Sequence, residues 1–418
     1  NANAIAEAQA LDARRAQGDA LPPLAGLPMT LKDAFAVAGE RTTYGLWLCK
    51  NHHSKKDAQG VNSLKQAGLV FLGRSAVPTA SFDWNCRNQL FTECVHPEQS
   101  DYSPGGSSGG AAAALAAGLT PLELGSDLGG SIRYPAHCCG VYGIRLSEGW
   151  VPFGDVGPNG KRSFRHLGAC GPMANHLEDL ALVLDLFAND FPDRRLKPFS
   201  QVSALPSQRP LRIAYSYGVA GLPCDTATRS ALQAQVSRLQ GLVLDGRDNL
   251  SAGAAIELVE TQPPVDFEAL NHAFGNVVGY QYQQMFSRWI PAKLKQQALD
   301  QVLFKKVGPG WMRDGLRRGL VSGTPDFLKA LALARSAQQE MDRFFKDFDL
   351  WMLPVSPSAS RLRAESGTLM HTHAGEVTYS DFVGSYLCCT SMLGTPAVTV
   401  PVGRDQKQLP LGGTATIA

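Results

Sequence analysis

Several features are missing from this chain, and each absence narrows its reading. No Cys-x-x-Cys pair occurs among the nine cysteines, at 49, 86, 94, 138, 139, 170, 224, 388 and 389. An odd count at irregular spacing in 418 residues does not make a disulfide framework. These residues read as reduced, mostly buried thiols, which fits a reducing cytoplasm. No charge of one sign dominates: 39 Lys and Arg face 37 Asp and Glu, a net +2. There is therefore no electrostatic case for nucleic acid or for an anionic membrane. No long apolar run exists either. The most apolar stretch, Ala111 to Leu124, contains Gly118 and Pro121 and carries Glu123, so no membrane span is expected. The first residues are Ala-rich with acids and arginines, not a basic head before an apolar run. No signal peptide is expected, and the expected localisation is cytoplasmic. Internal repeats, inter-domain linkers and low-complexity tracts beyond one Ala run are also absent.

An apolar fraction of 44% with 18% charged residues suits a globular protein. Helical spacing runs over residues 1–15, 62–67, 178–188, 226–239 and 325–348, and the Ala run 111–117 is a strong helix former closed by Gly118. Short apolar runs bounded by breakers predict strands at 68–73, 122–125, 212–215, 350–354 and 397–402. Strands alternating with helices predict an α/β sandwich around one extended sheet, as a single domain over 1–418.

The segment Ser103 to Gly149 holds the chemistry. It opens on Pro104-Gly105-Gly106-Ser107-Ser108-Gly109-Gly110, which lacks the Gly-Lys-Ser/Thr of a P-loop and is not Gly-x-Gly-x-x-Gly. Serines between paired glycines read as hydroxyls presented on a bare backbone. A second loop, Asp127-Leu128-Gly129-Gly130-Ser131, repeats the arrangement with one serine and can aim several N–H donors at a developing oxyanion. A serine nucleophile needs a base. Neither loop holds a histidine, and His137, close to Ser131, is not in a Gly-x-Ser-x-Gly elbow. A lysine serves as base when burial lowers its pKa, and Lys32 follows the apolar run Leu27 to Leu31.

The run SPGGSSGGAAAALAAGLTPLELGSDLGGSIRYPAHCCGVYGIR strongly resembles the signature of the amidase signature family. Upstream, GLPMTLKDAF resembles the family's Lys-bearing strand, and GPMANHLEDLALVLDL, MLPVSP and LGTPAVTVPVG follow in family order. The likeness runs from about Leu21 to Gly403, with the signature core over about 21–190. It weakens over about 199–360, where substrate-side variation is expected. The resemblance implies a three-layer α/β/α sandwich around a large mixed sheet. It also implies a catalytic set of Ser131 as nucleophile, Ser107 as relay through a cis peptide, and Lys32 as base. The N–H groups of Leu128, Gly129, Gly130 and Ser131 would form the oxyanion hole, with Ser108, Asp127 and Arg133 in support. An acyl-enzyme would fall to water, so no metal and no cofactor is implied.

Some positions depart from the family. Arg145-Leu146-Ser147 stands where Lys-Pro-Thr is usual, Arg74 replaces a Lys, and Thr79 follows Pro78 where an acid is usual. The expected function is hydrolysis of a linear, small-molecule carboxamide. Two rival readings are an ammonia-generating glutaminase subunit of a tRNA-dependent amidotransferase and an inactive scaffold on the same fold. A homodimer is an expectation from the family alone. His371-Thr372-His373 reads as an exposed loop rather than a metal site. Phe82, Trp84, Phe91, Trp150 and Phe153 divide between an acyl pocket and core packing.

Overall fold

The computed structural model describes residues 1–91, 93–153, 166–191, 209–219, 221–240, 242, 255–286, 307–321, 323–363, 367–372 and 375–417. In chain order the strands are β1 (Pro28–Lys32), β2 (Val70–Ser75), β3 (Leu122–Asp127), β4 (Tyr142–Arg145), β5 (Ala169–Ala174), β6 (Leu211–Tyr215), β7 (Gly218–Val219), β8 (Leu222–Pro223), β9 (Ile256–Glu260), β10 (Leu350–Pro354), β11 (Leu369–Thr372), β12 (Gly375–Thr378), β13 (Ala397–Arg404) and β14 (Pro410–Ile417). Ten of them build one sheet in the order β2-β1-β3-β5-β4-β13-β14-β10-β6-β9. It is mixed: β1 runs parallel to β2 and β3, β13 and β14 form an antiparallel hairpin, and β10, β6 and β9 are mutually parallel. The expected α/β sandwich on a large mixed sheet is what the chain adopts.

Helices cover both faces of this sheet. On one side, Val61 and Leu64 of the helix Gln59–Gln66 and Leu180, Val183 and Phe187 of the helix Leu177–Asp190 pack on Met29, Leu31, Leu122 and Leu124. On the other, the helices Gly109–Ala116 and Arg133–Cys139 meet Phe382, Val383 and Leu387 of the helix Tyr379–Met392. All fourteen residues of that last helix are buried, so it is the spine of the molecule rather than an amphipathic cover. Its start is set by Thr378, whose hydroxyl accepts from the Asp381 N–H. Asp381 in turn caps the helix Trp311–Val321, accepting from the N–H groups of Trp311 and Met312 at 3.0 Å each. A third apolar cluster packs Phe274, Val277, Leu316, Met341 and Trp351 together beyond the spine.

The ends of the strands expected from the sequence match to within two residues, β3 running on through Ser126 and Asp127. The sequence reading does not include strands β4, β5, β9 and β14, the helices Phe267–Phe286 and Trp311–Val321, or the spine helix, among others. The Gly-rich sequence of β5 and the all-round apolar character of the spine carry neither period 2 nor a one-sided 3.6 pattern.

Candidate active site

Alternation along β1 decides where its lysine goes. Met29 and Leu31 enter the apolar layer under the helices Gln59–Gln66 and Leu177–Asp190, which turns Thr30 and Lys32 to the opposite face. There Lys32 is fully buried. Its Nζ donates to Ser107 Oγ at 2.7 Å, Ser108 Oγ at 2.8 Å, Ser126 Oγ at 2.9 Å and the Ser126 carbonyl at 3.2 Å. Burial lowers its pKa from 10.5 to about 7, against an opposing pull from the charge of Asp127. An amine in this state is ready to exchange a proton with a neighbouring hydroxyl near neutral pH.

The two Ser/Gly loops meet over this amine. The Gly106–Ser107 peptide bond is cis, and the Ser108 N–H donates to the Ser131 carbonyl at 3.1 Å, tying one loop to the other. Accessibility rises outward: Lys32 is 0% exposed, Ser107 is 2% exposed, and Ser131 is half-buried on the wall of a cavity. Gly130 has φ +98°, and a Cβ there would sit 2.5 Å from Leu387 of the spine. A Cβ on Gly129 would come within 2.7 Å of the Phe274 ring, so both glycines are demanded by close packing.

Asp127 and Arg133 hold the second loop. Asp127 accepts from the N–H groups of Gly130 at 2.8 Å, Ile132 at 3.1 Å and Arg133 at 3.3 Å. The Arg133 guanidinium adds two bonds at 3.0 Å, and Arg145 Nε lies 3.7 Å away. Burial works to raise the Asp127 pKa, but the charge and hydrogen bonds of Arg133, with Arg145 behind it, hold it well below the usual carboxylate range. Arg133 reaches on to Thr390, Ser391 and the Leu387 carbonyl, anchoring the loop to the spine.

One expectation changes here. The Gly130 N–H is engaged by Asp127, so it braces the loop and is not a free donor for an oxyanion. Among the described residues, the N–H groups of Leu128, Gly129 and Ser131 have no acceptor, leaving three donors in one turn.

The cavity beside Ser131 is lined by Phe82, Trp84, Leu128, Phe274, Val307 and Met312, together with the polar Asp83 and Ser380. Of the aromatics singled out in the sequence, Phe82 and Trp84 line it. Trp150 and Phe153 instead belong to the core under β1, and Phe91 lies under the Arg41 guanidinium. His137 is buried between the Ser358 carbonyl and the Gly412 N–H, and burial pushes its pKa down to about 4. Arg145, standing where a lysine is usual, donates to the carbonyls of Thr395 and Leu167, while its Nε is buried without a hydrogen-bond partner. His371 is exposed beside Glu376, and His373 lies outside the described residues. Among the described residues no group of three or more His, Cys, Asp or Glu side chains is placed to hold a metal, and no helix is long and apolar enough to cross a membrane.

Sequence reasoning missed Ser126. It follows the β3 core run and gives Lys32 both its hydroxyl and its carbonyl, yet a serine ahead of an Asp reads as ordinary loop polarity. Glu123 was noted only as a charge interrupting an apolar run. It is fully buried behind Lys32, bonded by Thr30, Thr120 and Ser75.

Known proteins share this architecture. The family model described as Amidase matches residues 1–416. The chain belongs to the amidase family. This amidase-family hydrolase is 31% identical to a glutamyl-tRNA(Gln) amidotransferase subunit of Moorella thermoacetica over 429 residues, covering 98% of this chain and 82% of that protein. It is 38% identical to the 1-carboxybiuret hydrolase subunit AtzE of a Pseudomonas species over 371 residues, 85% of this chain and 72% of that protein. Among solved structures, one from work on a vestigial protein complex and the origins of an s-triazine catabolic enzyme superposes with TM-score 0.77 at 27% identity. It covers 100% of this amidase-family chain and 85% of its own. A bacterial aryl acylamidase of the amidase signature family, at 24% identity and TM-score 0.79, shares the fold and covers 100% and 84%.

Proposed function

We propose that this chain is a stand-alone, cytoplasmic amidase that hydrolyses a linear small-molecule carboxamide through Ser131, Ser107 and Lys32. The observation that carries the reading is the buried Lys32 amine, with a pKa of about 7, 2.7 Å from Ser107. An ammonium has three donors and no acceptor, whereas a neutral amine has two donors and a lone pair. In the neutral form Ser107 turns its hydroxyl proton to that lone pair and its oxygen toward Ser131. Ser131 then attacks the amide carbonyl as its proton passes to Ser107 and the Ser107 proton passes to Lys32. The oxyanion is met by the free N–H groups of Leu128, Gly129 and Ser131. Collapse breaks the C–N bond, the leaving nitrogen takes its proton back along the same path, and water releases the acid from Ser131. Asp127, Arg133 and Ser108 hold these groups in register and take no proton.

A second reading has its own support, because the relatives above include subunits of larger enzymes. An ammonia-generating glutaminase subunit would use the same three side chains and pass ammonia to a partner. Co-purification with a second chain, and glutamine hydrolysis that depends on it, would establish that reading. An inactive scaffold is the third possibility. A fluorophosphonate probe separates it from the other two: labelling of the wild type and loss of labelling in Ser131→Ala are expected. Near-wild-type turnover in Lys32→Ala across an amide panel would overturn the base assignment.

A further inference from the structure

We propose that the cavity beside Ser131 selects a neutral, apolar, ring-bearing substituent of the scissile amide, and that Trp84 links its filling to the oxyanion turn. This rests on the hydrolase reading above. Among the described lining residues there is no Lys, Arg or His, and Asp83 is the sole ionisable group. A carboxylate on the substrate, such as glutamine carries, would lose its water against Phe82, Leu128, Phe274, Val307 and Met312, with no cation among the described lining residues to meet it. Aromatic walls suit an uncharged ring. Phe82 is held edge-on by Tyr282, with ring centroids 5.3 Å apart, and Phe274 packs on the bare face of Gly129.

Trp84 does two things at once. Its ring forms one wall, resting where a Cβ on Gly384 would come within 2.9 Å of it. Its Nε1 donates to the Gly129 carbonyl at 3.0 Å. That carbonyl belongs to the peptide whose N–H, on Gly130, donates to Asp127 at 2.8 Å. One peptide plane in the turn is therefore pinned from both sides, by Trp84 and by Asp127. The flanking N–H groups of Gly129 and Ser131 are the ones left without acceptors. Trp84 is a positioning residue for the turn as well as a wall of the pocket.

The experiment compares kcat/KM for benzamide and phenylacetamide (ring on the acyl side), acetanilide (ring on the amine side), acetamide and glutamine. A ring-bearing neutral amide should exceed glutamine by about 100-fold or more, and the acyl and anilide arms show which side of the bond enters the cavity. Trp84→Phe keeps a ring and loses the hydrogen bond, so kcat should fall about 10-fold with KM within about twofold. Trp84→Ala should also raise KM for the ring-bearing amide and shrink its advantage over acetamide. Fluorophosphonate labelling of Ser131 runs alongside. Labelled enzyme that prefers glutamine overturns the pocket and leaves the hydrolase reading standing. A Trp84→Phe enzyme with unchanged kcat overturns the link to the turn. Absence of both labelling and turnover overturns the two readings together.

Discussion

The candidate site has two halves built on opposite terms. The polar half draws Lys32, Ser107, Ser108, Ser126, Asp127 and Arg133 from three short stretches of chain, and its side chains are held in hydrogen bonds. The apolar half takes Phe82, Trp84, Leu128, Phe274, Val307 and Met312 from well-separated segments and fastens them mainly by packing. A buried polar network tolerates almost no change, because one lost partner strands another group without water. An apolar wall can be reshaped with small losses provided volume is kept. Chemistry is therefore fixed where the network is, and selectivity is free to drift where the wall is.

The strongest way to break that contrast is to remove groups from the polar half. Lys32→Ala, Ser107→Ala and Ser131→Ala should each cost about 1,000-fold or more in kcat while substrate still binds. Single-turnover measurements on a good amide check this. If Lys32→Ala and the double variant Lys32→Ala/Ser107→Ala lose the same factor, the two act as one unit, as the 2.7 Å bond implies.

Protonation sharpens the contrast next. As the proposed base, Lys32 must be neutral to accept a proton, and burial lowers its pKa to about 7. kcat/KM for an uncharged amide should fall about tenfold per pH unit below that point and level off above it. Stability follows the same group with a definite sign. Between about 7 and 10.5 the unfolded chain holds the lysine proton and the folded chain does not, so stability rises with pH over that window. Thermal melts of wild type and Lys32→Met across this range should differ in slope, the variant being flatter. Equal slopes would mean the amine is charged in the fold.

The brace of the second loop gives a smaller, purely structural effect. Asp127→Ala leaves Arg133 buried without its main partner and frees three N–H groups, which should cost about 3–5 kcal/mol in denaturant unfolding. Asp127→Asn keeps the shape and some acceptors and should lose less.

How much of this was legible in the sequence follows the same division. The flanking helices could be read from local spacing, since the Ala run folds as a helix wherever it sits, whereas the two Ser/Gly loops and Lys32 stood out only through their resemblance to the amidase signature. Ser126 could not be read, since its role depends on where strand β3 ends relative to Lys32 on β1. The second Ser/Gly loop hides a similar detail. Four consecutive N–H groups look equivalent along the chain, and only the fold shows that Asp127 has taken the one on Gly130. Pocket walls such as Phe274 and Met312 lie on helices whose apolar residues look like any core until the helices are docked.

Glu123 offers the finest test, because it sits where the two halves meet the sheet. It shares the β1–β3 face with Thr30 and Lys32, and burial raises its pKa to about 8 against the hydrogen bonds from Thr30, Thr120 and Ser75. At neutral pH it is a neutral acid, so Glu123→Gln replaces like with like and should stay within about 1 kcal/mol of wild type. Glu123→Ala strands three hydroxyl groups behind the lysine and should cost about 1–3 kcal/mol. The linkage runs opposite to that of Lys32. Between about 4.5 and 8 the folded chain keeps the Glu123 proton while the unfolded chain loses it, so this group's stabilisation fades as pH rises through about 8. Glu123→Gln should remove that downward slope and leave the upward slope from Lys32 in place. Melts in which Gln at this position destabilises more than Ala would show that the carboxyl is ionised in the fold, and that the polar half extends into the sheet as a charge rather than as a neutral network.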